Sequence, residues 1–252
     1  MNRNFALIPA HNEALTVKKV VEETTNHVDR VIVIDDGSTD GTVDSLAATS
    51  AFVIRNDKNI GKGERLVEGF EAAKREGAHS VIVLDADNQH DPSDIPKFLA
   101  LHKTNPEAII LGDRSADMVN MPSIRRKGIK FGNFFISWAC GEKIKDAQCG
   151  MRLYPIKSVE NLDIPVHHTR RFKYETAVLM YAAEAGVPLG YVPIKARYKG
   201  FVLRPSHFDP IRDFARLFGL VTEFLLLRGL RPRGFMIAMG LINQPKNKRK
   251  YQ

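Results

Sequence analysis

The 252-residue chain is 44% hydrophobic and 26% charged, with a formal net charge of +8. That composition fits one globular α/β domain with an appended segment, and it argues against wholesale disorder or a fibre. Two cysteines, Cys140 and Cys149, match no metal-ligand spacing and build no disulfide framework, which favours a reducing compartment.

Taken in chain order, Phe5-Ala-Leu-Ile8 predicts a buried strand ended by Pro9, and residues 15–28 predict a helix. Val31-Ile-Val-Ile34, Ala51-Phe-Val-Ile54, Val81-Ile-Val-Leu84 and Ala108-Ile-Ile-Leu111 predict four more strands, separated by helical stretches such as residues 63–76. Continuous β-branched runs alternating with helices imply a mostly parallel sheet covered on both faces. In such doubly wound, Rossmann-like α/β sheets, ligands bind beyond the carboxyl ends of the strands. After residue 112 the pattern loosens: residues 125–138 are helical, 146–152 form a loop, and 176–185 are helical again. From Pro210 to Leu230 the residues Ile211, Phe214, Leu217, Phe218, Val221, Phe224 and Leu225 recur at helical spacing. The expected division is a catalytic domain over residues 1–208, an amphipathic helical segment over 209–243 and a basic disordered tail over 244–252.

The basic character is a C-terminal property. Residues 197–252 hold 12 Lys+Arg against 3 Asp+Glu, whereas residues 1–196 hold 25 against 26. Such asymmetry points to an anionic partner surface, either nucleic acid or anionic lipid. The first residues run straight into a strand, so no signal peptide is expected. The uncharged stretch at 234–245 is well short of the ~20 apolar residues of a membrane span. A cytoplasmic protein, soluble or peripheral on the membrane, is the expectation. An amphipathic helix plus a polybasic tail suits an anionic leaflet; equally, the helix can pack on the catalytic domain or form a dimer, and the oligomeric state is left open.

Polar residues gather at three strand ends: Ala10-His-Asn-Glu13, Asp35-Asp-Gly-Ser-Thr-Asp40 and Asp85-Ala-Asp-Asn-Gln89. Hard cations such as Mg²⁺ and Mn²⁺ take carboxylate, amide and phosphate oxygens, so Asp85 and Asp87 at a strand end are candidates to hold one against a diphosphate, with Gln89 adding an amide oxygen. Alone, Asp-x-Asp also occurs in solvated turns and helix caps. Asp35-Asp36 reads either as a turn before a capped helix or as an acidic pair meeting a donor N–H or hydroxyl. Asn59-Ile-Gly-Lys62-Gly63 is a loop before a helix, a place where phosphate can bind.

Ile8-Pro-Ala-His-Asn-Glu13, Val33-Ile-Asp-Asp-Gly-Ser-Thr-Asp-Gly41, Asn59-Ile-Gly-Lys-Gly63 and Asp85-Ala-Asp-Asn-Gln-His-Asp-Pro92 occur in order. Together they resemble the family 2 glycosyltransferases of the GT-A fold, and within them the dolichol-phosphate mannosyltransferase branch, over roughly residues 4–208. The resemblance implies a nucleotide-sugar pocket from Pro9, Ala10, Asn12, Glu13, Asp36, Lys62, Asp85 and Ala86, and metal ligation by Asp85, Asp87 and Gln89. It implies that Asp87, Arg114, Arg126 and Arg197 serve catalysis, and that Arg114, Arg125 and Arg126 face the acceptor phosphate. Arg197 matches a diphosphate-clamping arginine, but the Ser-Lys pair that follows it in the family is here Ser206-His207. Asp146-Ala-Gln-Cys-Gly-Met-Arg152 resembles the family's Asp-x-x-x-Gly-Phe-Arg segment, with Met151 in place of Phe.

Each residue also has a plainer reading. Arg125, Arg126 and Lys127 fit a solvated helix face, and Arg152 fits a loop brace. His90, His167, His168 and His207 fit structural or exposed positions, and Glu175 an orienting role. A sugar hydroxyl acceptor needs a positioned base, whereas a phosphate monoester is already ionised and needs cations to hold it in line. Arginines beside a metal site, without an evident base, therefore favour a phosphate acceptor, with inversion at the anomeric carbon; the resemblance implies polyprenyl phosphate as that acceptor and GDP-mannose or a UDP-hexose as donor. The alternatives are a saccharide or other lipid hydroxyl as acceptor in cell-envelope glycan synthesis, or a non-catalytic module binding nucleotide or nucleic acid. No recognised nucleic-acid motif appears, and nucleic acid is not the expected partner.

Overall fold

The continuous apolar runs become the middle of a seven-stranded sheet whose two faces are both buried, as such runs require. The protein is described here from a computed structural model, over residues 3–116, 123–195, 197 and 212–244; the side chains of Ile124 and Arg125 lie outside that description. In chain order the elements are β1 (Asn4–Ala10), α1 (Val17–Thr25), β2 (Arg30–Asp36), a short α2 (Thr42–Ser45), β3 (Phe52–Asn56), α3 (Lys62–Arg75) and β4 (Ser80–Val83). Then follow α4 (Ile95–Thr104), β5 (Ile109–Asp113), α5 (Ser123–Cys140), β6 (Arg152–Pro155), a short α6 (Ile156–Val159), α7 (Tyr174–Glu184), β7 (Leu189–Pro193), α8 (Arg212–Leu226) and α9 (Pro232–Ala238).

The strand order is β3-β2-β1-β4-β6-β5-β7, parallel throughout except for β6, which runs antiparallel to both its neighbours. Side chains alternate across each strand, so Phe5, Leu7, Ile32, Ile34, Val81 and Val83 join one core with α3, α5, α7 and α8. Ala6, Ile8, Val31, Val33, Ile82 and Leu84 join a second core with α1 and α4.

Some expected boundaries shift for identifiable reasons. The first strand runs through Pro9 to Ala10 instead of stopping there. Pro9 pairs with Ile34 of β2 but lies beyond the last β4 pair, Leu7 with Val83, where one side of β1 has no ladder to supply. The expected loop at 146–152 holds until Arg152, which begins β6. The C-terminal helix stops at Leu226, and Leu230 and Arg231 turn the chain at φ of 60° and 44° before α9. Leu220, Val221, Phe224 and Leu225 of α8 sit in the same core as the sheet, and Phe235 of α9 packs on Trp138 of α5 with ring centroids 4.9 Å apart. No helix among the described residues is long and apolar enough to cross a membrane.

Candidate active site

Because β1 lies between β2 and β4, the three polar strand ends are adjacent at one edge of the sheet. The first two are laced together. Asn12, at φ 54°, donates its N–H to Ser38 Oγ at 2.8 Å and accepts from the Thr39 N–H at 2.8 Å, while Glu13 N–H donates to Thr42 Oγ1 at 2.8 Å. Ala10 and Ala86 are buried within this edge, and Pro9 is half-buried.

The third end carries the charge. Lys62, the first residue of α3, places its ammonium 2.6 Å from Asp85 Oδ1 and 3.1 Å from Glu175 Oε2 of α7. On the other side of Asp85, His90 Nε2 lies 3.4 Å from Oδ2. Burial alone would lower the Lys62 pKa, but the charges of Asp85 and Glu175 outweigh it and raise the pKa above the usual lysine range. Burial likewise disfavours an ionised Asp85, yet the Lys62 charge and the His90 contact hold that carboxyl well below the usual carboxylate range. Asp87 lacks such a partner. Burial, and then the negative charge of Asp85, push its carboxyl up to about 6, with the Gln89 N–H donating to Asp87 Oδ1 at 3.0 Å in partial opposition.

Glycine makes the packing around this charge possible. A Cβ at Gly150 would stand 2.1 Å from Asp85 Oδ2, and one at Gly63 would stand 2.0 Å from the Thr169 carbonyl oxygen. The loop carrying Lys62 is also tied from β2: Asp36 accepts the Ile60 N–H and the Gly61 N–H at 2.9 Å each, and Arg65 Nε at 2.8 Å. Asp36, expected to face the nucleotide, is thus buried and engaged in holding the Lys62 loop.

The arginines separate into distinct arrangements. Arg114 is buried and binds Asp146 through two parallel bonds, Nε to Oδ2 at 2.8 Å and Nη2 to Oδ1 at 3.0 Å. That pairing braces the end of β5 against the loop before β6. Arg152, fully buried, donates to the carbonyls of Ala147, Cys149 and Glu175, so it braces that loop through carbonyl oxygens. Arg197 reaches Asp91 at 2.6 Å, Glu23 at 3.1 Å and Asn88 Oδ1 at 3.1 Å, and its backbone N–H donates to the Gln89 carbonyl at 2.9 Å. It therefore adjoins the loop that carries Asp85 and Asp87. Arg126 is half-buried on α5, while the Arg125 side chain, Ser206, His207 and the tail at 246–250 lie outside the described residues. Burial pushes the Cys149 thiol up to about 12, which leaves it a poor nucleophile at neutral pH.

Asp85 and Asp87 are the residues able to hold a hard cation. Two carboxylates in one turn, one of them with a raised proton affinity caused in part by the other, suit a divalent ion that would stabilise both negative charges. Among the described residues no His, Cys, Asp or Glu forms with both of them a group of three whose ligand atoms all lie within 4.8 Å of one another, so the ligand shell would be completed by Gln89, water or phosphate oxygens. The contacts that sequence reasoning missed are pairings across long chain separations: Lys62 with Glu175, Arg114 with Asp146, and Arg197 with Glu23. Their acidic members lie on α7, in the loop before β6 and on α1, away from the acidic strand ends that the sequence marks.

Residues 5–163 match the family described as Glycosyl transferase family 2. The chain is 29% identical over 218 residues to a UDP-N-acetylglucosamine–dolichyl-phosphate N-acetylglucosaminyltransferase of Methanococcus voltae, covering 77% of this chain and 85% of that protein. It is 25% identical over 202 residues to the undecaprenyl-phosphate mannosyltransferase of Micrococcus luteus, covering 76% and 82%. Among solved structures, glucosyl-3-phosphoglycerate synthase from Mycobacterium tuberculosis, in complex with Mn²⁺, UDP and glucosyl-3-phosphoglycerate, superposes with a TM-score of 0.60 at 17% identity, covering 90% of this chain and 80% of that one. At that identity the likeness concerns the fold.

Proposed function

The chain belongs to glycosyl transferase family 2, and from that premise we propose that it transfers a hexose from a nucleotide sugar to a polyprenyl phosphate, with inversion, at the cytoplasmic face of the membrane. The observation that carries this reading is the paired carboxylates Asp85 and Asp87 at the end of β4, beside the Lys62 ammonium. A divalent ion there, Mg²⁺ or Mn²⁺, would act as a Lewis acid on the departing nucleoside diphosphate. Asp85, Asp87 and Gln89 would hold the ion, while Lys62 would supply positive charge toward the diphosphate. Pro9, Ala10, Asn12, Glu13 and Ala86 line the nucleotide side, with Asp36 acting through the Lys62 loop. Arg126 and Arg125 on α5, with Arg197 beside the Asp85–Asp87 loop, are the cations assigned to phosphate.

The acceptor follows from proton chemistry. Glu175 is paired with the Lys62 ammonium, so that carboxylate is not left as a ready base. A phosphate monoester attacks without one. The names of the Methanococcus and Micrococcus relatives, both of which carry a polyprenyl-type phosphate, support the same acceptor class. Their sugars differ, and mannose stands first in the order of test because of the branch its motifs resemble. The exposed apolar residues of α8 and α9 support a membrane-apposed position.

The test is transfer from GDP-mannose, UDP-glucose or UDP-N-acetylglucosamine to a short polyprenyl phosphate in the presence of Mn²⁺ or Mg²⁺. One donor should give lipid-linked product, and Asp87→Ala should lower the rate by about 10²–10³-fold, the scale of losing one stabiliser of transition-state charge. Absence of product with all three donors, together with nucleotide binding unchanged in Asp87→Ala, would overturn the reading.

A further inference from the structure

Far from the Asp85 site in sequence, a second polar cluster is built from one short turn and one helix. The single 3-10 turn Val166–His168 presents two adjacent histidines to Glu223 on α8. His167 Nε2 lies 2.9 Å from Glu223 Oε1, and His168 Nε2 lies 3.3 Å from Glu223 Oε2. Among the described residues this is the one group of three His, Cys, Asp or Glu whose ligand atoms all fall within 4.8 Å of one another.

His168 supplies an independent observation. The side chain is 1% exposed, and its Nε2 has no partner in hydrogen-bond geometry, although the Glu223 carboxylate stands at contact distance. Its other nitrogen, Nδ1, contacts Tyr181 Oη at 3.2 Å. A buried ring nitrogen without a hydrogen bond is costly, and a ring fixed at Nδ1 with Nε2 aimed at a second histidine and a carboxylate matches the way ligating histidines are held. We propose that His167, His168 and Glu223 form a binding site for a Zn²⁺-class transition-metal ion, distinct from the Asp85–Asp87 centre.

Distances and ligand chemistry agree with that class. Bonds of 2.0–2.1 Å to a tetrahedral ion place neighbouring ligand atoms roughly 3.3 Å apart, against the 2.9 and 3.3 Å observed between the imidazoles and the carboxylate. Two imidazoles select zinc and its neighbours over Mg²⁺ or Ca²⁺, which prefer an all-oxygen shell. Lys173, with Arg170 and Arg216 near it, adds positive charge facing Glu223, so binding must rest on strong bonds to nitrogen rather than on general attraction for cations. The side chains of His167 and Glu223 both reach solvent, at 53% and 44% exposure, which gives the ion a path in and leaves its fourth position to water.

The site joins parts that matter to each other. Just after the histidines, the carbonyls of Thr169 and Arg171 press on Gly63, and the Arg171 N–H donates to Glu64 at 2.7 Å. The segment is therefore held between the Lys62 loop and α8, and an ion at its start would fasten α8 to that loop.

Equilibrium dialysis against Zn²⁺, and the visible spectrum with Co²⁺, test the site in the full chain. Asp87→Ala protein should retain one tight Zn²⁺ per chain and the absorption of tetrahedral Co²⁺. In His167→Ala and Glu223→Gln proteins, whose changes are at side chains that reach solvent, affinity should fall at least about ten-fold. Zn²⁺ at a hundred-fold excess over Kd should raise the thermal midpoint by roughly 5–10 °C in wild type and not in those variants. Circular dichroism matching wild type shows that the variants are folded. Equal Zn²⁺ affinity in wild type and both variants, loss of the ion in Asp87→Ala instead, or no Zn²⁺ bound by wild type would each overturn the proposal and leave a simple His–Glu ion pair.

Discussion

At Lys62, one ammonium serves two carboxylates, Asp85 at 2.6 Å and Glu175 at 3.1 Å, all three being largely buried. Removing one member of such a set leaves the others charged and without compensation, which costs about 3–5 kcal/mol. Lys62→Met should therefore lose about that much unfolding free energy in denaturant titration. Added Mn²⁺ should restore more stability to the variant than to wild type, because the ion then supplies the missing positive charge. An equal Mn²⁺ effect in both would separate Lys62 from the metal-side carboxylates. Asp87 gives a pH signature of opposite sense to the usual carboxylate. Its folded-state pKa is raised to about 6, so folding favours the protonated form. That stabilisation is complete below the unfolded value near 4 and disappears as the pH rises through about 6. In EDTA the thermal midpoint should fall over that window, and Asp87→Asn should lack the fall. Asp85, with a depressed pKa, loses its contribution only as the pH falls below about 4, outside the window.

At the scale of elements, the first turn of α3 and the segment at 169–171 fit together only because Gly63 has no side chain. Gly63→Ala would set a Cβ 2.0 Å from a backbone oxygen that no rotamer change can move. Overpacking of that kind costs about 1–3 kcal/mol, and here at least the upper figure is expected by chemical denaturation. Gly219, on α8, has nothing within 4 Å of an added Cβ, so Gly219→Ala should instead stabilise by about 0.5–1 kcal/mol through helix propensity. Elements were legible in the sequence wherever burial on both faces produced an unbroken apolar run, as in Val31-Ile-Val-Ile34 and Val81-Ile-Val-Leu84. β6 and β7 were not, because Arg152-Leu-Tyr-Pro155 opens on an arginine and Leu189-Gly-Tyr-Val-Pro193 contains glycine and proline. Neither carries a period that separates strand from loop. The acidic strand ends were legible for the same reason as the strands they terminate. The partner of each arginine was not: Arg114 and Asp146 are 32 residues apart, and only the reversed strand β6 brings the loop holding Asp146 back beside β5.

For the molecule as a whole, the C-terminal helices combine two features that were separate in the sequence. One face of α8 completes the core beneath the sheet, and α9 packs on α5 through Phe235 and Gly234, whose added Cβ would meet the Trp138 carbonyl at 2.4 Å. Packing on the catalytic domain thus accounts for one face of the amphipathic segment and leaves the other outward. The end of α8, the connection to α9 and the residues after α9 expose Leu226, Leu227, Leu230, Met239 and Leu241, with Leu227 72% exposed. Arg231 is held inward, donating to the Ala139 carbonyl at 2.8 Å, and Arg228 pairs with Glu184, so Arg233 and Arg212 are the cations nearer the surface. Large apolar side chains exposed together beside cations suit an anionic bilayer better than water. Truncation from Arg231 onward would strip α9 from α5 and confuse unfolding with detachment, so the test belongs to surface point changes. Leu227→Glu combined with Met239→Glu should abolish flotation with phosphatidylglycerol vesicles, and raised salt should weaken flotation of the wild-type chain without eliminating it. Because neither position touches the Asp85–Asp87 edge, transfer to a short, water-soluble polyprenyl phosphate should continue at the wild-type rate in the double variant. Flotation unchanged by the two substitutions would remove the membrane from the role of these helices. Loss of transfer to the soluble acceptor would show instead that the outward face contributes to the reaction itself.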